Sequence, residues 1–299
     1  MTMTDFAYLT SLEGTLLCEE PMKDHTSFRI GGPAEAFFVP KTEEALVSAL
    51  SFAKANAIPF RILGNGSNLL VADEGVRGLV VCLAGGLTSL SENDGLISAG
   101  AGVTLSKVCL LALEKELTGL EFAYGIPGSV GGAIYMNAGA YGGEVKNVLK
   151  TVRVLDPETL TIEELDAGTL DIAYRSTPFM KNGLIILGGV FALEKGDAEE
   201  IRAKMNDLLT RRKTSQPLTL PSAGSTFKRP KNGYAAAMID EAGLKGYRVG
   251  GAEVSTKHAG FVVNIDNATA KDVLAVIAGV REKVLAVHQT YLETEVEIW

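Results

Sequence analysis

The stretch at residues 125–143 constrains the fold more than any other part of this sequence, because most of its residues are glycine, alanine or serine. A backbone without large side chains lets a planar ligand lie close to the chain. A flexible linker has a similar composition, but linkers rarely carry apolar residues such as Ile126, Val130 and Ile134, which are interleaved here. We therefore expect a glycine-rich binding loop at residues 125–143.

A second glycine-rich segment, LGNGSNLL at residues 63–70, directly follows a predicted strand at residues 60–63. Glycines on both sides of Asn65 free the backbone to turn its N–H groups inward, and such nests bind anionic oxygens, especially those of diphosphates. Ser67 and Asn68 add side-chain donors. A plain hairpin turn is the alternative interpretation of these residues alone.

Several common motifs are absent from the sequence. Gly64 and Gly66 are followed by Leu69 where the dinucleotide fingerprint GxGxxG needs its third glycine. The chain also lacks GxxxxGK[ST], HExxH and any CxxC pair. We therefore expect neither ATP-type phosphate transfer nor a catalytic metal.

Composition narrows the class of protein further. The formal net charge is −8, and the one short basic cluster, around Arg212, is expected to complement the dipole at a helix end, so we expect no nucleic-acid partner. Three cysteines without a paired spacing favour a reducing cytoplasm. The N-terminus resembles no signal peptide. The most apolar stretch, residues 184–193, has half the length of about 20 residues that a membrane span needs, so we expect no membrane insertion.

The order of predicted elements indicates an α+β fold rather than one doubly wound sheet. Predicted strands lie at residues 60–63, 79–83, 96–101, 152–155, 160–165, 184–193, 261–265 and 293–299. Five helices are predicted. One begins after Thr42, one begins at Thr104 and is stopped by Gly119, and one begins after Thr269. The other two span residues 197–212 and 234–241. Prolines after Arg212 favour a domain boundary there.

Five motifs in order, GNGSNLL, GIPGSVGGAIYMNAGAYG, AYRSTPF, AGSTFKRP and ETEVEIW, resemble the successive signatures of the UDP-N-acetylenolpyruvoylglucosamine reductases. The resemblance covers nearly the whole chain and is closest to the shorter branch, which lacks an extra tyrosine-bearing substrate loop. It implies an FAD-binding domain of the vanillyl-alcohol-oxidase type plus a smaller α+β substrate-binding domain. The implied division is an FAD-binding region at residues 1–213 (lobes of about 1–83 and 84–213), a substrate domain at 214–289, and a C-terminal strand at 290–299 returning to the active site.

The resemblance implies that FAD is held by the two glycine-rich segments. The residues implied are Leu63, Gly64, Asn65, Gly66, Ser67, Asn68, Gly125, Ile126, Pro127, Gly128, Ser129, Gly131, Gly132, Ala133 and Asn137. Related flavin oxidases often attach FAD covalently through histidine or cysteine. No histidine lies in either segment, and no cysteine follows Cys109, so we expect noncovalent binding.

The resemblance implies three catalytic residues. Arg175 would stabilise the substrate carboxylate and an enolate, Ser225 would donate a proton, and Glu295 would be the partner of Arg175. The residue types alone are also compatible with non-catalytic roles: a surface ion pair for Arg175 and a loop hydroxyl or cap for Ser225. In a strand Glu295 shares one face with Glu293 and Glu297, so periodicity does not choose among the three.

The implied partners are UDP-N-acetylglucosamine enolpyruvate and NADPH, with reduction to UDP-N-acetylmuramate for peptidoglycan synthesis. The substrate-binding candidates are basic or aromatic residues that suit a diphosphate and a uracil: Lys228, Arg229, Tyr234 and Arg248. Lys228 is also a hypothetical aid to proton donation by Ser225. Two other functions remain alternatives: an oxidase of the same flavin fold that uses oxygen, and a nucleotide-binding module without turnover.

Overall fold

The structure is a computed structural model that describes residues 3–299, with side chains from Phe6 onward. It forms two compact units. The first comprises the described residues up to Cys18, Ala36–Asn65 and Gly78–Arg212; the second comprises Glu19–Glu35, Gly66–Arg77 and Lys213–Trp299. The expected domain boundary after residue 213 differs by one residue from the observed boundary, which follows Arg212. The expected contiguous division is nevertheless wrong for residues 19–35 and 66–77, whose contacts group them with the C-terminal part.

Local sequence explains most helix starts. The α-helices are α1 (Glu43–Ala55), α2 (Leu105–Glu114), α3 (Val130–Tyr135), α4 (Phe179–Asn182), α5 (Ala198–Ser215), α6 (Ala235–Glu241) and α7 (Ala270–His288). Thr42 caps α1 by accepting a hydrogen bond from the Ala45 N–H. Thr269 and Asp272 form a complete capping box at α7, as their spacing predicts.

The strands are short, and many contain only two residues. In chain order they are β1 (Gly14–Pro21), β2 (Pro33–Pro40), β3 (Phe60–Leu63), β4 (Leu69–Leu70), β5 (Val76–Cys82), β6 (Leu90–Asn93), β7 (Leu96–Gly100), β8 (Leu117–Thr118), β9 (Gly139–Ala140), β10 (Gly143–Glu144), β11 (Leu149–Leu155), β12 (Ile162–Asp166), β13 (Ile185–Ala192), β14 (Glu194–Lys195), β15 (Arg248–Val249), β16 (Ala252–Val254), β17 (Val262–Asn264) and β18 (Glu297–Ile298).

Two larger sheets organise the first unit. One has the strand order β1-β2-β5-β3, with β3 and β5 parallel, and the other is antiparallel in the order β12-β11-β13-β7-β6. Two hydrophobic clusters pack against them, and the one around α1 also includes Leu187 of β13. Phe38, Leu46 and Leu79 belong to the cluster around α1, whereas Ile97 and Val152 belong to the cluster around α2 and α3.

The second unit packs helices α6 and α7 against a three-stranded antiparallel sheet, β15-β16-β17. The predicted apolar stripe of α7 is confirmed, since its members are all buried: Val273, Val276, Ile277, Val280 and Val284. Strand β4 pairs in parallel with β18, which joins residues 66–77 to the C-terminal segment. This pairing holds residues 66–77 in the second unit.

Three predicted elements differ in the structure. The run at residues 125–143 is not a continuous loop, since it contains α3 and the hairpin of β9 and β10. Helix α2 ends at Glu114 rather than near Gly119, because β8 begins at Leu117. The C-terminal strand is limited to β18, preceded by an isolated bridge at Thr294.

Within residues 3–299, no helix has both the length and the apolar character that crossing a membrane requires. In the same part of the chain, no group of three or more histidine, cysteine, aspartate or glutamate side chains is placed to hold a metal ion.

Candidate active site and cofactor site

The two glycine-rich segments meet in the first unit. Gly64 follows β3, and a Cβ atom added to it would lie 2.7 Å from the Ser129 Oγ. A Cβ atom on Gly131 would lie 2.9 Å from the Ala101 Cβ. Both approaches are closer than real Cβ contacts allow. The absence of a side chain is therefore required at Gly64 by the other glycine-rich segment, and at Gly131 by the residue after β7.

Ser129 explains why a helix forms inside a glycine-rich run despite the low helix propensity of glycine. It is buried, and its hydroxyl accepts the Gly132 N–H at the start of α3. The Val130 and Gly131 N–H groups donate to the Val103 and Ala101 carbonyl oxygens. The side chain of Ser129 thus shapes the helix start.

The other predicted cofactor residues of these segments differ in exposure. Asn65, Pro127 and Gly132 are exposed, whereas Leu63 and Ala133 are buried. The remainder are half-buried, and all but Ile126 lack a Cβ atom: Gly64, Gly125, Ile126, Gly128 and Gly131. Partly exposed glycines let a planar flavin nucleotide lie close to the backbone, so the four glycines are compatible with FAD.

Gly66, Ser67 and Asn68 belong to the second unit. Gly66 has φ +60°, and a Cβ atom there would collide with the His25 carbonyl oxygen. Its own carbonyl accepts the Ser27 N–H at 3.1 Å. Glycine is therefore required at position 66 by both backbone conformation and space.

We expect Gly66→Ala to destabilise the fold by at least about 3 kcal/mol, because it adds a steric collision to the cost of positive φ, and to lower FAD content. Gly243→Ala is the matched control, since Gly243 has φ +70° in the same unit with nothing within 4 Å of its added Cβ. It should cost only about 1–2 kcal/mol. Urea unfolding and flavin content measure both effects, and equal losses would contradict this account.

Arg175 lies on a tight turn in the first unit. Ala173 and Ser176 exchange backbone hydrogen bonds across it, and Arg175 itself has φ +50°, an unusual conformation for a residue with a side chain. Its guanidinium donates to the Asn137 and Gly139 carbonyl oxygens, both at 3.3 Å, and lies over the Tyr174 ring. These contacts hold the half-buried guanidinium in one place.

Asn137, a predicted cofactor residue, is fully buried beside this turn. Its amide nitrogen donates to the Glu144 carboxylate at 2.8 Å and to the Ala173 carbonyl at 3.1 Å, while its amide oxygen accepts the Lys146 N–H. The side chain therefore ties the β9–β10 hairpin to the Arg175 turn.

Arg212 was not predicted as part of this region. Its side chain is buried, its guanidinium lies 5.7 Å from the centroid of the Tyr141 ring, and a Cβ atom on Gly125 would contact it. Arg212 lies in the last turn of α5, which ends at Ser215, so its predicted role at the helix dipole stays a prediction. Helical spacing from Met205 and Leu208 could have placed it on the buried stripe of α5.

The segments that carry Ser225 and Glu295 pair through their backbones in the second unit. Ser225 bridges to Phe261, and the Thr226 N–H donates to the Gly260 carbonyl at 2.8 Å. On the other side, the Glu295 N–H donates to the Thr226 carbonyl, also at 2.8 Å. Residues 225–228 thus run between residues 260–262 and 293–295, and both candidate side chains are half-buried.

Residues 216–299 match the family model described as UDP-N-acetylenolpyruvoylglucosamine reductase, C-terminal domain, and residues 34–163 match an FAD binding domain. The UDP-N-acetylenolpyruvoylglucosamine reductase of Alkaliphilus oremlandii is 48% identical over 287 residues, covering 95% of this chain and 93% of the relative. The chain belongs to this family.

A solved structure supports the assignment to this family. UDP-N-acetylenolpyruvylglucosamine reductase from Thermus caldophilus has a TM-score of 0.81 and 37% identity, covering 96% of this chain and 98% of that one. Alkyldihydroxyacetonephosphate synthase, at 14% identity and TM-score 0.50 over 65% of this chain and 41% of that one, shows the fold alone. The chain is an FAD-dependent oxidoreductase with a vanillyl-alcohol-oxidase type FAD domain and a smaller α+β domain.

The predicted substrate residues lie in the second unit with different partners. Lys228 forms an ion pair of 3.6 Å with Glu293, and the Arg229 guanidinium lies 4.2 Å from the centroid of the Tyr234 ring. Arg248 instead lies on β15, where it donates to the Gly250 carbonyl at 2.7 Å. Their roles toward substrate stay a prediction.

His258 supports the segment that pairs with Ser225. Its Nδ1 accepts the Gly260 N–H at 3.2 Å, and its ring packs edge-on against Phe261. Burial, aided by the charge of Lys245, lowers the pKa of His258 below its ordinary value of 6.5. The folded state therefore holds a neutral imidazole at pH values where the unfolded chain is already protonated.

We expect the free energy of unfolding to fall as pH drops below about 6.5, because the unfolded state then binds more protons than the folded state. His258→Gln should flatten this part of the stability curve, measured by urea unfolding at a series of pH values. A variant with an unchanged slope would show that His258 is not responsible.

Proposed function

We propose that the chain reduces UDP-N-acetylglucosamine enolpyruvate to UDP-N-acetylmuramate with NADPH, a step in making peptidoglycan precursors in the cytoplasm. The pairing of the segments that carry Ser225 and Glu295 supports this proposal, because the Glu295 N–H bonds the carbonyl of Thr226, the residue next to Ser225, within one unit. Membership of the reductase family supports the choice of substrate.

Backbone and small side chains of residues 63–68 and 125–133 would hold FAD without a covalent bond. When bound, FAD carries hydride from the nicotinamide to the enol ether. Burial raises the pKa of Cys82 to about 11 and of Cys109 to about 12, so we expect both thiols to stay protonated and unreactive near neutral pH.

Arg175 would bind the substrate carboxylate. Hydride addition at C3 pushes electrons toward that carboxylate and produces an enolate-like dianion. A guanidinium stays charged and offers two parallel donors to a carboxylate. Because Arg175 is already held by two carbonyl oxygens and the Tyr174 ring, little reorganisation is needed as charge develops. Glu295, if protonated, would donate a further hydrogen bond to the enolate.

Ser225 would deliver the proton to C2. A free hydroxyl is a weak acid, so its proton must be favoured by neighbouring positive charge. Lys228 is the nearest candidate in sequence, and its ammonium group is paired with Glu293, whose side chain is 70% exposed. Glu295 is less exposed and lies beside Thr226, which favours Glu295 over Glu293 as the carboxyl that acts at the site.

A turnover assay tests this proposal. Purified protein loaded with FAD is mixed with NADPH and the enolpyruvyl sugar nucleotide without oxygen, and the product is identified by mass spectrometry. We expect NADPH loss that requires the sugar nucleotide and a product that has gained two hydrogens. NADPH loss that requires oxygen instead would indicate the oxidase alternative, and nucleotide binding without NADPH loss would indicate a binding module.

A further inference from the structure

We propose that Asn68, beyond its predicted place near the cofactor, is a positioning residue for Glu295. Its side-chain Nδ2 donates to the Glu295 carbonyl oxygen at 2.9 Å, and its own carbonyl accepts the Glu297 N–H at 3.0 Å. Asn68 therefore bonds the chain on both sides of Val296. The two segments are 227 residues apart in sequence, and both belong to the second unit.

These bonds belong to a longer alignment of the two segments. The Trp299 N–H donates to the Leu70 carbonyl at 3.0 Å, and the Ala72 N–H donates to the Trp299 carbonyl at 2.9 Å. Strands β4 and β18 thus fix the register of the last residues, and Asn68 continues that register to Glu295 with a side chain where the strand pairing has ended.

The peptide groups of Glu295 are consequently held from two directions. Its N–H donates to the Thr226 carbonyl, next to Ser225, and its carbonyl accepts from Asn68. One side chain of the GNGSN motif therefore links the cofactor segment to the backbone of Glu295. A carboxyl that acts on a substrate must be held closely, since a displacement of about 1 Å can cost about 100-fold in rate.

The inference rests on the proposed function, and its test uses the two half-reactions. Asn68→Asp keeps the shape but removes the Nδ2 donor, and Asn68→Ala removes the side chain without adding charge. With saturating FAD, we expect both variants to be reoxidised by the enolpyruvyl sugar nucleotide about 10- to 100-fold more slowly than wild type. Reduction by NADPH should change less than about 3-fold, because it does not involve Glu295.

Asn264→Ala is the matched control. Asn264 is a buried asparagine of the same unit whose amide also joins distant backbone, donating to the Phe28 carbonyl at 3.2 Å and accepting the Ala268 N–H at 2.9 Å. It should lower the unfolding temperature without separating the half-reactions. In a Glu295→Gln background, Asn68→Ala should add less than about 3-fold to the loss of reoxidation, since the positioned carboxyl is already gone.

Three results would overturn the inference. One is an equal loss in both half-reactions for the Asn68 variants, which would assign Asn68 to cofactor binding alone. Another is full additivity with Glu295→Gln. The third is a wild-type protein that NADPH reduces but the sugar nucleotide does not reoxidise. That result would contradict the proposed function itself, and the absorbance trace of the wild-type protein alone reveals it.

Discussion

Ser225→Ala is expected to slow reoxidation of the reduced flavin by the enolpyruvyl sugar nucleotide by about 10²- to 10⁴-fold, the usual size of a lost proton donor. The variant should still bind FAD and accept hydride from NADPH. Ser225 is held through its backbone bridge to Phe261, so alanine leaves the segment in place. Stopped-flow measurement of each half-reaction separates the two effects.

Ser222→Ala is the control for this experiment, because Ser222 is another half-buried serine of the same segment. Its turnover should match that of wild type. Retention of full activity by Ser225→Ala would show that another group supplies the proton. A parallel loss of FAD would show instead that Ser225 is structural.

Arg175→Lys should lower kcat/KM for the sugar nucleotide by about 10²- to 10³-fold, because lysine keeps the charge but loses the two parallel donors that match a carboxylate. Lysine should keep a cation near the Asn137 and Gly139 carbonyls that Arg175 contacts, so we expect the fold to survive. Steady-state kinetics with NADPH held saturating gives the ratio.

Arg153→Lys is a matched substitution away from the site. Arg153 forms a two-point contact with Glu43, through Nε at 3.0 Å and Nη2 at 2.8 Å, on the protein surface. It should cost less than about 1 kcal/mol in stability and leave turnover unchanged. If Arg175→Lys were equally harmless, the carboxylate role of Arg175 would be wrong.

Features encoded by neighbouring residues were predictable from the sequence. The capping box of Thr269 and Asp272 and the buried stripe of α7 depend only on side chains within a few turns. Helix α3 was not predictable in this way. Glycine disfavours helices, and α3 forms because Ser129 caps it and Ala101 and Val103 accept its first N–H groups.

The other features that could not be predicted from the sequence depend on pairing between residues far apart in the chain. Nothing local indicates that residues 66–77 join the C-terminal segment, since the β4–β18 pairing links positions more than 200 residues apart. The same holds within the candidate site. Motif resemblance predicted Ser225, Asn68 and Glu295 separately, whereas the bonds that connect them through Thr226 and the Asn68 amide appear only in the structure.

The most direct test of the central claim is an anaerobic visible spectrum of the purified protein loaded with FAD. NADPH should bleach the oxidised flavin band, and the enolpyruvyl sugar nucleotide added next should restore it. Both changes together would establish the proposed hydride path from NADPH to the substrate. Bleaching without recovery would contradict the substrate, and a protein that takes up no FAD would contradict the whole account.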